Sequence, residues 1–238
     1  MMDLSPARWA LLPAIALTCS TNAAADFSAN AGVSNNYLWR GLTQTENTAS
    51  ISGGIDFDAG NGFYAGTWAA NVSYAPGDVF SYEHDLYGGF SGESGAVSYD
   101  VGYLYYNYDE TAEFDFGEIY GVVGFGNFSV SLNVLANTEA DESPGQDFGF
   151  GQAYYLGLDY ATTVGNDVEL AVHVGYHDGD FNEAFNGVPG SYADYNVSLS
   201  KDGFFFTVSG TDLDDAGPDG LDNDAIKFVV GYSVEIAL

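Results

Sequence analysis

The sequence predicts an all-β protein: a single transmembrane, antiparallel, up-and-down β-barrel of about twelve strands over residues 26–238. Three observations predict it. Apolar and polar residues alternate with a period of two in segment after segment, and the last segment, Ala225–Leu238, does so to its end. Short Gly/Asn/Asp turns alternate with long polar loops. Proline, which cannot donate within a ladder, avoids the alternating segments: of the six, Pro76, Pro144, Pro189 and Pro218 fall in long loops, and Pro6 and Pro13 precede residue 26.

Met1–Ala25 reads as a secretory signal peptide. Arg8 supplies a positive start, Trp9–Leu17 an apolar stretch, and Asn22-Ala23-Ala24-Ala25 a small-residue cleavage site before Asp26. The apolar stretch is shorter than the roughly 20 residues a spanning helix needs. Cys19 raises a lipoprotein alternative, but Ala16-Leu17-Thr18 is a poor lipobox, so ordinary cleavage is expected. No cysteine follows, which excludes disulfide and thiol chemistry in the mature chain.

Phe27–Gly41 forms the first expected strand, with Phe27, Ala29, Ala31, Val33, Tyr37 and Trp39 opposed by Ser28, Asn30, Ser34, Asn36 and Arg40. Ile51, Ile55 and Phe57 face out on the next, against Ser50, Ser52 and Asp56, before the turn Gly60-Asn61-Gly62. Tyr64, Trp68, Val72 and Tyr74 mark a third. On the fourth, Tyr82, Leu86 and Phe90 oppose Glu83, Asp85 and Tyr87, and Gly92–Gly95 turns into Val97, Tyr99, Val101, Tyr103 and Tyr105. Phe116–Phe125 is apolar on both faces, which leaves its orientation open. Phe128–Val134, Tyr154–Tyr160, Val168–Tyr176, Ala193–Leu199 and Phe204–Val208 continue the alternation. In Ala225–Leu238 every even position from Ile226 to Leu238 is apolar. That segment looks like the closing strand and insertion signal of an outer-membrane barrel, with Leu238 where Phe or Trp is usual.

Long loops are expected outside, at Leu42–Thr48, Ala75–Ser81, Tyr108–Asp115, Ala136–Phe150, Asp178–Ser191 and Thr211–Asp224, with short turns on the periplasmic side. A secreted β-sandwich also alternates, but it would carry charge on the faces that are apolar here. Trp39, Tyr74, Tyr105 and Tyr176 lie near strand ends, where an interfacial girdle would place aromatics.

Lys and Arg number 4 against 34 Asp and Glu, a formal charge of −30, so a nucleic-acid partner, which needs a basic footprint, is excluded. With 31 Gly, 18 Tyr and 17 Phe the chain is too aromatic for disorder. A halophilic soluble protein could be this acidic, but would need neither the signal peptide nor the terminal strand.

Phe27–Tyr74 carries a more specific signal. The run Ser34-Asn35-Asn36-Tyr37-Leu38-Trp39-Arg40-Gly41-Leu42-Thr43-Gln44-Thr45, followed by Gly62-Phe63-Tyr64-Ala65-Gly66-Thr67-Trp68, resembles the N-terminal signature of the Gcw_chp family of proteobacterial outer-membrane proteins, the TorF-type porins. The resemblance implies a Gram-negative outer-membrane location and a transport role. It brings no catalytic residues.

No catalytic, cofactor or metal site is expected. His173 and His177 share the polar face of one strand roughly 13–14 Å apart, too far to ligate one metal. An outer-membrane phospholipase would need a serine beside a histidine on one strand; the residues two beyond His84, His173 and His177 are Leu86, Gly175 and Gly179. His84 falls on the lipid-facing side. Asp212, Asp214, Asp215, Asp219, Asp222 and Asp224 crowd one loop, without the register of a calcium-binding EF-hand. The acidic loops suit divalent cations bridging to lipopolysaccharide, and outer-membrane lipid is the expected surrounding. Gly117–Gly126 lacks the strand–turn–helix context of a phosphate loop.

Parity places Arg40, Asp56, Glu83, Asp85, Asp100, Glu118, Asp159, Glu169, His173, Asp194, Lys227 and Glu235 on the lumen side. Nine carboxylates against two permanent cations predict a passive, cation-preferring channel for small solutes, of modest bore at about twelve strands. The alternative is a closed barrel serving envelope structure or surface interaction through its acidic loops.

Overall fold

The computed structural model describes residues 25–75, 77–215 and 221–238. The signal-peptide expectation, with Cys19, Pro6 and Pro13, falls outside the described residues, as do Pro76, Pro218 and Asp219.

Twelve antiparallel strands close into a barrel: β1 (Asp26–Ser34), β4 (Ser50–Asp58), β5 (Phe63–Asn71), β6 (Tyr82–Ser94), β7 (Val97–Asn107), β8 (Phe116–Phe125), β9 (Phe128–Thr138), β10 (Tyr154–Val164), β11 (Val168–Asp178), β12 (Ser191–Lys201), β13 (Phe204–Thr211) and β14 (Lys227–Ala237). Each pairs with its sequence neighbour. The pairing of β1 with β14, from Ser28 opposite Ala237 to Ser34 opposite Gly231, closes the ring. Closure satisfies every edge, the condition for strands to sit in a medium that offers no hydrogen bonds. Between β1 and β4 lies a separate two-stranded hairpin, β2 (Leu38–Trp39) and β3 (Leu42–Thr43). A short α-helix, α1 (Asp180–Asn186), stands between β11 and β12.

The outer wall is apolar. Val33, Val101, Val123, Leu158, Val174 and Val230 are each about half exposed, as are the even positions of β14, and Ile51 is more exposed still. Directly paired rings form a rim at the short-turn end: Phe27–Phe57, Phe63–Phe90, Phe128–Tyr160 and Phe204–Tyr232, with centroids 4.7–4.9 Å apart. Cross-strand aromatic pairs of this kind stabilise a sheet by about 0.2–1 kcal/mol each. At the loop end Tyr82, Tyr103, Tyr176 and Tyr195 face outward. The two aromatic rings with an aliphatic belt between them match a bilayer and its interfaces.

Inside, rings lie across glycines of the adjoining strand. A β-carbon would stand 2.5 Å from the Tyr87 ring at Gly66, 2.4 Å from the Tyr64 hydroxyl at Gly89, and 2.3 Å from the Phe205 ring at Gly231. This interlocking explains why a Gly-rich chain is also Tyr-rich: the missing side chain on one strand makes room for the large one on the next.

Several expected boundaries move. β1 ends at Ser34 rather than Gly41, because the chain there leaves the wall and turns inward. β6 runs on to Ser94, so the tight turn is Gly95-Ala96. On β5 the outward positions are Phe63, Ala65, Thr67 and Ala69, while Tyr64 and Trp68 point into the barrel. Phe116–Phe125 resolves with Ile119, Val123 and Phe125 outside and Glu118 and Tyr120 inside, after a register shift between Gly117 and Glu118. Of the four expected girdle residues, Trp39 and Tyr74 lie instead in the interior cluster at the loop end.

All long loops emerge at one end and all short turns at the other. In intact cells, a membrane-impermeant thiol reagent should therefore label Asp141→Cys and Asp214→Cys but spare Asn61→Cys and Asp202→Cys. Labelling of the last two from outside would overturn this orientation.

Candidate functional site: an acidic interior beneath an inward-folded hairpin

The inward positions carry carboxylates around the wall, most of them held by tyrosines. Near the turn end, Asp56 accepts from Asn30 Nδ2 at 3.2 Å and from the Tyr87 hydroxyl. Asp100 accepts from the Tyr64 hydroxyl at 2.7 Å, and Tyr64 also bonds Tyr120. Glu169 accepts from Ser200 Oγ at 3.4 Å. Glu235, exposed near the turn end, stands opposite Asn30 in the β1–β14 register.

On β10–β12 a polar chain runs across three strands. His173 Nδ1 meets Asp159 Oδ1 at 2.6 Å. His173 Nε2 meets the Tyr155 hydroxyl at 2.6 Å and Asp194 Oδ1 at 3.4 Å. Tyr155 donates to Asp194 Oδ2 at 2.9 Å. Both imidazole nitrogens thus face oxygen, and two carboxylates share one histidine.

Toward the loop end the interior closes. Residues Asn36–Gln44 are all buried, because the β2–β3 hairpin folds into the barrel. Its two-residue turn is Arg40-Gly41, both left-handed at φ 49° and 82°, the backbone a tight hairpin requires. Gly41 is also a point of contact: a β-carbon there would sit 2.7 Å from Asp194 Cβ and 2.9 Å from Thr211 Cγ2. The hairpin reaches several walls at once. Tyr37 donates to Glu83 Oε1 of β6 at 2.8 Å, and Tyr192 of β12 donates to the Arg40 carbonyl at 2.9 Å. Arg40 Nη2 donates to Glu118 Oε2 of β8 at 2.6 Å, and Nη1 to His177 Nε2 of β11 at 3.1 Å. Glu118 further accepts from Tyr106 at 3.3 Å and Asn133 at 3.2 Å.

Aromatic rings complete the closure. Trp39 meets Tyr106, Phe116, His177 and Phe185 edge-on at 5.5–6.3 Å. Phe181 and Phe185 come from α1 and stack on each other, while Phe80, Tyr108 and Phe114 approach from neighbouring loops and strands. Burial first, then the nearby Glu83 and Asp85 carboxylates, push the Tyr37 phenol well above its ordinary range, so it stays a donor. For Arg40 burial works the other way, but Glu118 and its neighbours outweigh it and hold the guanidinium above its ordinary value.

Of the residues expected to line the lumen, Asp56, Glu83, Asp85, Asp100, Glu118, Asp159, Glu169, His173, Asp194 and Glu235 lie at inward positions of the wall. Arg40 does not belong to the wall: it sits at the tip of the hairpin between β1 and β4. Lys227 sends its ammonium into the loops, donating to Asn47 Oδ1 at 2.8 Å and to the Leu221 and Asp222 carbonyls at 3.0 and 2.9 Å. It ties the first loop to the last. Asp85 is fully buried, and neither of its oxygens has a hydrogen-bond partner. His84 faces out and pairs with Thr67 Oγ1 at 2.7 Å. Among the described residues no group of three or more His, Cys, Asp or Glu is arranged to hold a metal ion.

The inward tyrosines went unnoticed in the sequence except Tyr87, although parity would have found them. With Tyr103 and Tyr105 outside, Tyr106 must face inward, and with Tyr154 and Leu156 outside, so must Tyr155. The hairpin had a weaker signal: Arg40-Gly41 between Leu38-Trp39 and Leu42-Thr43 is a two-residue turn with an unusual first residue.

Residues 19–227 match the family described as "Bacterial protein of unknown function (Gcw_chp)". No curated protein matches the chain. Among solved structures, a KdgM porin superposes with a TM-score of 0.55 at 10% identity, covering 89% of this chain and 99% of the porin. A NanC porin gives a TM-score of 0.57 at 9% identity, covering 89% and 100%. At such identities the likeness is one of fold.

Proposed function

The chain belongs to the Gcw_chp family, and on that premise we propose that it is a Gram-negative outer-membrane channel, exported with removal of its signal peptide, through which small cationic solutes diffuse. The observation that carries this reading is the charge of the interior. Asp56, Glu83, Asp85, Asp100, Glu118, Asp159, Glu169, Asp194 and Glu235 occupy inward positions, and with Lys227 drawn into the loops the opposing permanent charge comes from Arg40. Fixed carboxylates in a narrow, partly desolvated passage concentrate cations and repel anions. A KdgM porin structure of the same fold holds oligogalacturonate, a polyanion that this interior would repel. The acidic loops at the mouth would add to the cation preference and offer divalent cations a bridge to lipopolysaccharide, effects that salt screens beyond about 8–10 Å.

Reversal potential in a salt gradient across a planar bilayer tests the reading. A cation-preferring potential is expected, weakening as pH falls toward about 4, the ordinary carboxylate range, and weakening also in Asp100→Asn combined with Glu169→Gln. A measured anion preference would overturn the charge argument.

The buried hairpin and the aromatic layer of α1 favour a second reading, a closed barrel that acts through its surface. Absence of conductance from wild type and from a variant lacking residues 36–45 would establish it.

A further inference from the structure

Building on the channel reading, we propose that the Arg40 guanidinium is an internal surrogate for the solute, and that the cleft it fills is a binding site for free guanidinium compounds. Three features make the cleft specific for that group. Its acidic end is Glu118 Oε2, 2.6 Å from Nη2, with both side chains almost fully buried at 1% and 5% exposure. Its walls are π faces: the Arg40 central carbon lies 4.2 Å from the Trp39 ring centroid and 4.4 Å from that of Tyr155. A planar cation suits this sandwich better than a tetrahedral ammonium. A third side is the His177 Nε2 acceptor, 3.1 Å from Nη1.

An independent observation shows that the protein's own arginine fits the cleft incompletely. Arg40 Nε is buried with no acceptor, because the hairpin backbone dictates where its side chain enters. On the adjoining wall Asp85, paired in register with Tyr106, is buried with both oxygens unpartnered. Both deficits favour exchange of the tethered guanidinium for a free one, which can reorient.

The test uses the full mature protein, with methylguanidinium as probe and tetramethylammonium as a cation of equal charge that cannot donate. Trp39 and Trp68 both lie at the hairpin, and the only other tryptophan, Trp9, precedes the mature chain, so tryptophan emission reports binding without reference to conduction. Arg40→Ala should conduct better than wild type. Methylguanidinium should block that variant and shift its emission at about tenfold lower concentration than tetramethylammonium, the factor expected from one charge-assisted hydrogen bond. Equal action of the two cations on Arg40→Ala would overturn the proposal and leave Arg40 a structural strut. An emission shift specific to methylguanidinium without conductance in either protein would uphold the site and refute the channel. If Arg40→Ala does not fold, Arg40→Lys keeps the charge but not the planar fork. Methylguanidinium should then displace the lysine at lower concentration than it displaces Arg40 in wild type, and equal concentrations would again overturn the proposal.

Discussion

Glu118→Ala is expected to expel the hairpin while leaving the barrel intact. The substitution strands the Arg40 guanidinium in a site where it is about 1% exposed, and removing one partner of such a buried pair typically costs about 3–5 kcal/mol. The barrel has another way to relieve that cost. The hairpin contributes no rung to the closed ladder, so undocking it rehydrates Arg40 without breaking a strand pair of the barrel. Trypsin gives a direct readout, since Arg40, Lys201 and Lys227 are the basic residues that follow residue 25. Wild type should resist cleavage after Arg40 from outside the cell, and Glu118→Ala should be cut there, with tryptophan emission moving to longer wavelength. Adding Arg40→Met should restore the buried emission, because an apolar side chain of similar length removes the stranded charge. Unchanged trypsin resistance in Glu118→Ala would show that the pair does not hold the hairpin.

Leu158→Arg should impair insertion of the barrel itself. Leu158 lies near the middle of β10, 52% exposed, with Val130 and Val174 as its cross-strand neighbours. An outward arginine at the bilayer midplane costs about 2–4 kcal/mol, a penalty that falls toward zero at the interfaces. Urea titration in lipid vesicles, followed by the mobility difference between folded and heated protein, should show a corresponding loss of stability. Asp159→Asn, one residue along and facing the interior, should change it far less. Equal stabilities of Leu158→Arg and wild type would remove the assignment of this face to lipid.

The barrel was legible because a β-strand repeats every two residues. Wherever one face meets hydrocarbon and the other a polar interior, the alternation prints the fold into the sequence, as in β11, where Val168, Leu170, Val172, Val174 and Tyr176 face out and Glu169 and His173 face in. Phe116–Phe125 was ambiguous because Phe116 and Tyr120 are apolar enough to pass for lipid-facing residues. Their inward place follows from packing against Trp39, the hydrogen bond of Tyr120 to Tyr64, and the register shift at Gly117.

Sequence alone therefore determined the closed antiparallel barrel, the side of the wall on which its acidic groups stand, and the end from which its long loops emerge, because each is set by local periodicity and turn chemistry. Only the tertiary structure decided what fills the mouth. Residues 35–41 continue the alternation of β1 closely enough to read as wall, yet they turn inward. The partners that draw them in are distant in sequence: Glu118 and His177 stand 78 and 137 residues beyond Arg40. A single cation on a loop finds its carboxylate through the closure of the whole barrel, and no local pattern records that meeting.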